Sequence, residues 1–451
     1  MPDIYVEPKV KWDLTDNVSR FPGVHETNHE RLASIWIEPA TGGYSIECTG
    51  DLFDARKKWK AVIELTEAQL VGAVQSCLEE WHKAVVADGT NLSPYLGKWD
   101  FSTNDAPLQA IVPRLALAGY KLFNAIFNPQ IAGVDTTKLN ELGKKLADAT
   151  SKGEQWFRFT TNSFYAPWNL IYSDNPIHGV DKKHFWGYRH MIEHAPQEST
   201  LEFEMTNLPP LVASFCIDDR IDEQTQLQST SKVIAVFDAF DQVSYNRVTC
   251  QTDLTKILGR KPVADHILYF WCHGTGSGNN SQPQFTPFNL SLSDDKAITP
   301  DDITVYMDNE VFAYRPLVFL NLCHGGRATS LMHRGFTDVF LKREASAVIG
   351  PYTEIPIVFA GEFATRFFAN FLDRQAGVRQ TGSVLLDLRR EFFDKYNNPL
   401  GLLYSLYWGA DIFLKNPLPK KQRVAAQQPE TQQTSPKPMA TRQPGSQQPP
   451  G

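Results

Sequence analysis

Two short stretches constrain the fold of this chain more than any others: His266-Ile267-Leu268-Tyr269-Phe270-Trp271-Cys272-His273-Gly274 and Leu317-Val318-Phe319-Leu320-Asn321-Leu322-Cys323-His324-Gly325-Gly326. Each is a dense apolar run, rich in aromatic and β-branched residues, that ends in a reactive side chain followed by glycine. Runs of this length bounded by turn residues read as strands buried on both faces of a parallel sheet. In open α/β sheets, ligands and chemistry gather where such strands end. The pattern therefore predicts His273 and Cys323 side by side at one carboxyl edge, an imidazole beside a thiol. That pair is the minimum equipment of a cysteine nucleophile with its acid/base partner.

The rest of the chain supplies a setting for such a sheet. Thr41-Gly42-Gly43 separates two alternating pieces, Ala33–Ile37 and Tyr44–Cys48, as in a hairpin. Thr66-Glu67-Ala68-Gln69 is a capping box, followed by Leu70, Val74, Cys77, Leu78, Trp81 and Val85 on one helical face. A second stripe runs from Leu108 to Phe127, and Leu139, Leu142 and Leu146 mark a third helix. Farther on, Lys232–Phe237 reads as the first central strand, Asp253–Leu258 as helix, and Ile267–Cys272 as the next strand. This β-α-β order belongs to a doubly wound sheet with right-handed crossovers. Gly274–Ser281 reads as a polar loop, Phe288–Leu292 as a short strand, Thr299-Pro300-Asp301-Asp302 as a helix start and Ala345–Gly350 as a strand. Helices are expected around Ala328, Leu331 and Met332, around Phe363–Phe371 and around Val384–Phe392. The predicted organisation is a loose arm over 1–31, a hairpin with helices over 32–154, an α/β core over 155–416 and a disordered Gln/Pro-rich tail over 417–451.

Composition excludes several function classes. A net charge of −7 and a pI near 5.9 argue against a nucleic-acid surface, which needs clustered Lys and Arg. Six cysteines without paired spacing fit a reducing, cytoplasmic setting, and the amino terminus has no signal-peptide pattern. No apolar run approaches the roughly 18 residues of a membrane span. His178, His184, His190 and His194 invite a metal reading, but their spacing matches no common ligand pattern, and no metal or cofactor is expected. A zinc site built from Cys272, His273, Cys323 and His324 is a further alternative, disfavoured because consecutive strand residues point to opposite faces. An inert core thiol at Cys323 with a turn histidine at His273 remains a third.

Taken together, the motifs resemble those of the caspase-like cysteine peptidases, and the wider context resembles the CHAT family among them. The residues that carry the likeness are Ile267–Gly274, Arg315–Cys323, Ala347–Pro351 with Ala360, Phe363-Ala364 and Phe367-Phe368, the Pro167-Trp168-Asn169-Leu170 element, and Leu402–Asp411. The resemblance implies an endopeptidase with His273 as acid/base, Cys323 as nucleophile and the Gly274 backbone in the oxyanion hole. It also implies a dedicated protein substrate, such as a gasdermin-like pore former, and an activating sensor in a bacterial defence or cell-death pathway. The Cys323-His324-Gly325-Gly326 run resembles metacaspases, in which an acid two residues before the cysteine helps bind a basic side chain. Here that position is Asn321, so Asp238 or Asp241, after the expected first central strand, is the candidate for the missing charge. A catalytically inactive scaffold of the same fold is the competing expectation, and an interaction protein whose Gln/Pro-rich tail recruits partners is a further one.

Overall fold

The computed structural model describes residues 32–53, 58–130, 135–195, 210–276, 288–308, 310–323, 331–373, 379–414 and 418–421. The expected arm over 1–31, residues 277–281, His324, Gly325, Gly326, Ala328 and the chain beyond Lys421 lie outside them.

Described in chain order, a hairpin of β1 (Leu32–Ala40) and β2 (Gly43–Gly50) is followed by β3 (Trp59–Ile63). Helices α1 (Glu67–Val85), α2 (Ala106–Phe127) and α3 (Thr137–Lys152) come next, then β4 (Trp156–Thr160) and β5 (Met191–Ala195). The second half runs β6 (Leu211–Ile217), α4 (Asp219–Thr225), α5 (Ser229–Asp238), β7 (Val243–Val248), α6 (Gln251–Leu258), β8 (Ile267–Gly276), β9 (Phe288–Ser291) and β10 (Ala297–Ile298). It closes with α7 (Pro300–Tyr306), β11 (Leu317–Cys323), α8 (Leu331–Lys342), β12 (Ala347–Pro351), α9 (Ile357–Leu372), α10 (Thr381–Tyr396) and β13 (Tyr404–Tyr407).

All of these strands join one sheet of 13 strands, in the order β10-β9-β8-β11-β12-β13-β5-β4-β1-β2-β3, with β6 also paired to β8 and β7 to β6. Parallel pairings link β7, β6, β8, β11 and β12, and again β13, β5, β4 and β1. The fold is α/β, with a mostly parallel sheet covered by helices. Alternation along the central strands feeds two cores: Ile267, Tyr269 and Trp271 with Leu317 and Phe319 face α5, α9 and α10, and Leu268, Phe270 and Cys272 with Val318, Leu320 and Leu322 face α6, α7 and α8.

Local chemistry explains most elements. The Thr66 hydroxyl accepts from Gln69 N–H at 3.3 Å while Gln69 Oε1 accepts from Thr66 N–H at 2.9 Å, the expected capping box. Thr299 and Asp302 do the same for α7. Leu139, Leu142 and Leu146 are all buried.

Three expectations are corrected. Lys232–Phe237 lies in helix α5, not in a strand. Val233 and Phe237, four apart, are buried while Ala235 is exposed, and the Asp222 carboxylate accepts from the N–H groups of Ser229 (2.9 Å) and Thr230 (2.8 Å) at the helix start. The first central strand is instead β6, Leu-Val-Ala-Ser-Phe-Cys-Ile. The tail does not leave the fold at 417: Leu418 is buried, Asp241 N–H donates to Pro419 O at 2.7 Å, Lys421 N–H donates to Ala239 O at 2.9 Å, and Lys420 pairs with Asp373 at 2.7 Å. Finally, α2 spans 22 residues and includes an 18-residue window of mean hydropathy 1.2, long and apolar enough by length and composition to cross a membrane. Its Leu115, Leu122, Ile126 and Phe127 are buried in the first core.

Helix α2 packs through Gly119 on the backbone of Leu170 and Tyr172, in the connection between β4 and β5. A Cβ on Gly119 would lie 2.2 Å from Leu170 O and 2.9 Å from Tyr172 N, both backbone atoms that cannot swing aside. Gly119→Ala is therefore expected to destabilise the fold by about 1–3 kcal/mol, read as a lower midpoint in urea denaturation, although alanine is the better helix former.

Candidate active site

The parallel pairing of β8 with β11 runs in register from Ile267↔Leu317 to His273↔Cys323. The histidine and cysteine backbones thus stand opposite one another at the carboxyl ends of adjacent strands, and His273 follows the alternation that puts Tyr269 and Trp271 on one sheet face. His273 is partly exposed, at 20 % of its side-chain surface. Cys272 is buried on the opposite face, in the second core. Three other buried thiols are poorly suited to attack: burial pushes Cys77 up to about 12 and raises Cys48 and Cys216 strongly as well.

Gly274 does not open a turn. β8 continues to Gly276 and pairs antiparallel with β9, His273 opposite Ser291 and Gly274 opposite Leu290. The edge of β8 therefore changes partner. Up to Trp271 it is paired with β6, in register Trp271↔Ile217, and from His273 onward with β9.

A residue that sequence reasoning missed sits at that change of partner. Asp218 directly follows β6, is fully buried, and donates its N–H to Trp271 O at 2.7 Å. Its Oδ2 lies 3.5 Å from His273 Nε2. The same carboxylate accepts from Arg220: Oδ1 from the backbone N–H at 3.1 Å and from Nε at 2.8 Å, and Oδ2 from Nη2 at 2.6 Å. Arg220 also reaches Leu292 O at 3.1 Å and pairs through Nη1 with Asp295. These two carboxylates hold the Arg220 guanidinium protonated even more firmly than usual, and Arg220 in turn lowers Asp295. The signal was available in the sequence, because an apolar run ending in Asp218-Asp219 is a strand followed by a helix cap.

The expected substrate-binding residues are placed elsewhere. Asp238 and Asp241 are exposed at the end of α5 and just before β7. Leu211 of β6 pairs with Val243 of β7, so both acids lie at the amino-terminal edge of the sheet. That edge is separated from His273 by the length of β6, roughly 20 Å at about 3.3 Å per residue. Asn321 is fully buried, with its amide fully engaged: Nδ2 donates to Ala360 O at 2.9 Å and to Tyr269 Oη at 3.3 Å, and Oδ1 accepts from Tyr404 Oη at 2.6 Å. It ties β11 to α9 and β13 rather than facing a ligand.

The four histidines do not converge either. His178 is exposed, His184 lies 3.6 Å from Asp174, His190 Nδ1 accepts from Gln155 N–H at 3.1 Å, and His194 Nε2 meets Tyr352 Oη at 3.0 Å. Burial lowers His190 strongly and His194 to about 3, so both rings are neutral. Among the described residues no group of three or more His, Cys, Asp or Glu side chains is placed to hold a metal ion.

No family model and no curated protein matches the chain. Among solved structures it is similar to chains in two crystal structures of the Saccharomyces cerevisiae separase–securin complex. The one at 3.0 Å resolution shows 11 % identity and a TM-score of 0.48 over 85 % of this chain and 30 % of that chain. The one at 2.6 Å shows 10 % identity and a TM-score of 0.44 over the same shares. The chain thus spans less than a third of the length of the chains it matches.

The Tyr404 hydroxyl is the donor that satisfies Asn321 Oδ1 two residues before Cys323. Tyr404→Phe keeps the ring stacked on Phe363, 4.1 Å between centroids, but strips that buried oxygen of its donor. A loss of about 1–3 kcal/mol in unfolding free energy is expected, measured by chemical denaturation.

Proposed function

We propose that the protein is a caspase-like cysteine endopeptidase with His273 and Cys323 as its dyad. The observation that carries this reading is the register that sets the two residues opposite one another at neighbouring strand ends. The Cys323 thiolate attacks the scissile carbonyl carbon, and the electron pair of the C=O bond moves to oxygen. Collapse of the tetrahedral intermediate breaks the C–N bond, and the His273 imidazolium gives its proton to the departing amine. Water, deprotonated by the now neutral His273, attacks the thioester, releasing the carboxylate and regenerating the thiol. The Gly274 N–H is the proposed oxyanion donor.

The substrate in this reading is a protein, of the gasdermin-like pore-former class suggested by the CHAT resemblance, cleaved in the cytoplasm once a sensor protein activates the enzyme. No preference for a basic residue is drawn from Asp238, Asp241 or Asn321, whose positions are accounted for by the fold.

Labelling with fluorescent acyloxymethyl-ketone peptides bearing Arg, Lys, Leu or Asp tests the proposal. The wild type is expected to be labelled, Cys272→Ala to remain so, and Cys323→Ala to lose labelling altogether. Wild type that no probe labels, with candidate activators present, would favour the inactive-scaffold alternative.

A further inference from the structure

The sheet places three elements in line: β6, followed directly by Asp218, on one side of β8, and β11, ending at Cys323, on the other. His273 stands on the middle strand. We propose that Asp218 is the charge partner of His273, a positioning residue that holds the imidazole between a carboxylate and the nucleophile strand, with Arg220 and Asp295 setting how much of that charge the ring feels. This rests on the dyad reading and extends it to a third member.

The backbone fixes the arrangement. Asp218 N–H is bonded to Trp271 O, two residues before His273, so the carboxylate cannot move relative to β8 without breaking a sheet-edge hydrogen bond. Asp218 also caps α4, whose first turn carries Arg220. Its Oδ2 faces His273 Nε2 at 3.5 Å, which turns the other ring nitrogen, Nδ1, away from β6. The described charges around the imidazole are Asp218 and Arg220 from the β6–α4 turn and Asp295 from the segment after β9, and on the other side the backbone register sets position 323 of β11 opposite His273. Two carboxylates against one guanidinium leave a net negative charge beside the ring, on the side away from the strand that carries Cys323.

Arg220 is a counterweight. By binding both oxygens of Asp218 it draws charge away from the ring, so removing the acid and removing the arginine must act on His273 in opposite directions. A residue that only supported the loop would move both variants the same way.

The test is an NMR titration of the His273 ring in the full chain with ¹³C-labelled histidine, run beside the pH profile of probe labelling. Asp218→Asn keeps a helix-capping side chain and is expected to lower the His273 midpoint by about one pH unit, with the alkaline limb of labelling moving down with it. Arg220→Gln is expected to raise both. Asp295→Asn, at a residue with 75 % of its side chain exposed, is expected to give a smaller downward shift and serves if Asp218→Asn fails to fold. Midpoints that stay put, or that move together in the Asp218 and Arg220 variants, overturn the pairing even if Cys323 is labelled normally. Opposite shifts in a protein that no probe labels uphold the pairing and overturn the peptidase reading.

Discussion

The in-register parallel ladder between β8 and β11 is the interaction on which the rest of the structure depends. Side chains alternate along a strand, so a slip of one residue would exchange the two faces of β11 against β8. Tyr269 and Trp271 would then no longer share a face with Phe319 and Asn321, and His273 would lose its neighbour at position 323. Both faces of this ladder are buried, one under α5, α9 and α10 and the other under α6, α7 and α8. The apolar alternation thus specifies the register from two sides at once, and the same alternation separates Cys272 from His273.

Apolar packing alone tolerates considerable exchange, and a second layer of specification comes from polar groups inside the first core. Asn321 joins Tyr269, Ala360 and Tyr404, and the Tyr404 carbonyl accepts from Asn169 Nδ2 at 2.7 Å and from Arg389 Nη2 at 2.8 Å. Asn169 precedes β5 and Arg389 lies on α10, so this network connects β11 to both halves of the sheet. Arg389 is fully buried, and desolvation lowers it to about 10. Buried polar groups of this kind are costly unless satisfied, and so they penalise any alternative packing of β11 and β13. A neutral Asn at 321 is the residue type that can both donate and accept here, which a carboxylate in the same place could not do without burying a charge.

Much of this was legible in the sequence because it is encoded locally. The capping boxes at Thr66 and Thr299, the stripes of α1, α2 and α3, and the strands over 267–273 and 317–323 all depend on residues within a few positions of one another. Lys232–Phe237 was not legible for the opposite reason. Its β-branched residues favour a strand, and the decision for helix is made by Asp222, which receives the first amide groups, and by packing of Val233 and Phe237 on α9. That one misassignment carried Asp238 and Asp241 to the wrong end of the sheet and hid Asp218, because an acid becomes a site candidate only once the strand it terminates is known. The polar tail was similarly divided by contacts that composition cannot reveal, with Leu418 to Lys421 held against Ala239 to Asp241.

The burial of Asp218 links these levels. A carboxylate without solvent exposure must be compensated, and the chain supplies that compensation twice, first from Arg220 two residues away and then from His273 across a strand. The Arg220 pair is local and forms wherever α4 starts, so the acid is neutralised as soon as the β6–α4 turn exists. Only the sheet brings His273 to the remaining side of the carboxylate. Because Oδ2 contacts Arg220 at 2.6 Å but His273 at 3.5 Å, the stronger bond serves the fold and the weaker one is left to respond to the protonation of the imidazole. In the proposed dyad, an acid held in this way would orient the ring without fixing its charge, which is what the acid/base role proposed for His273 requires.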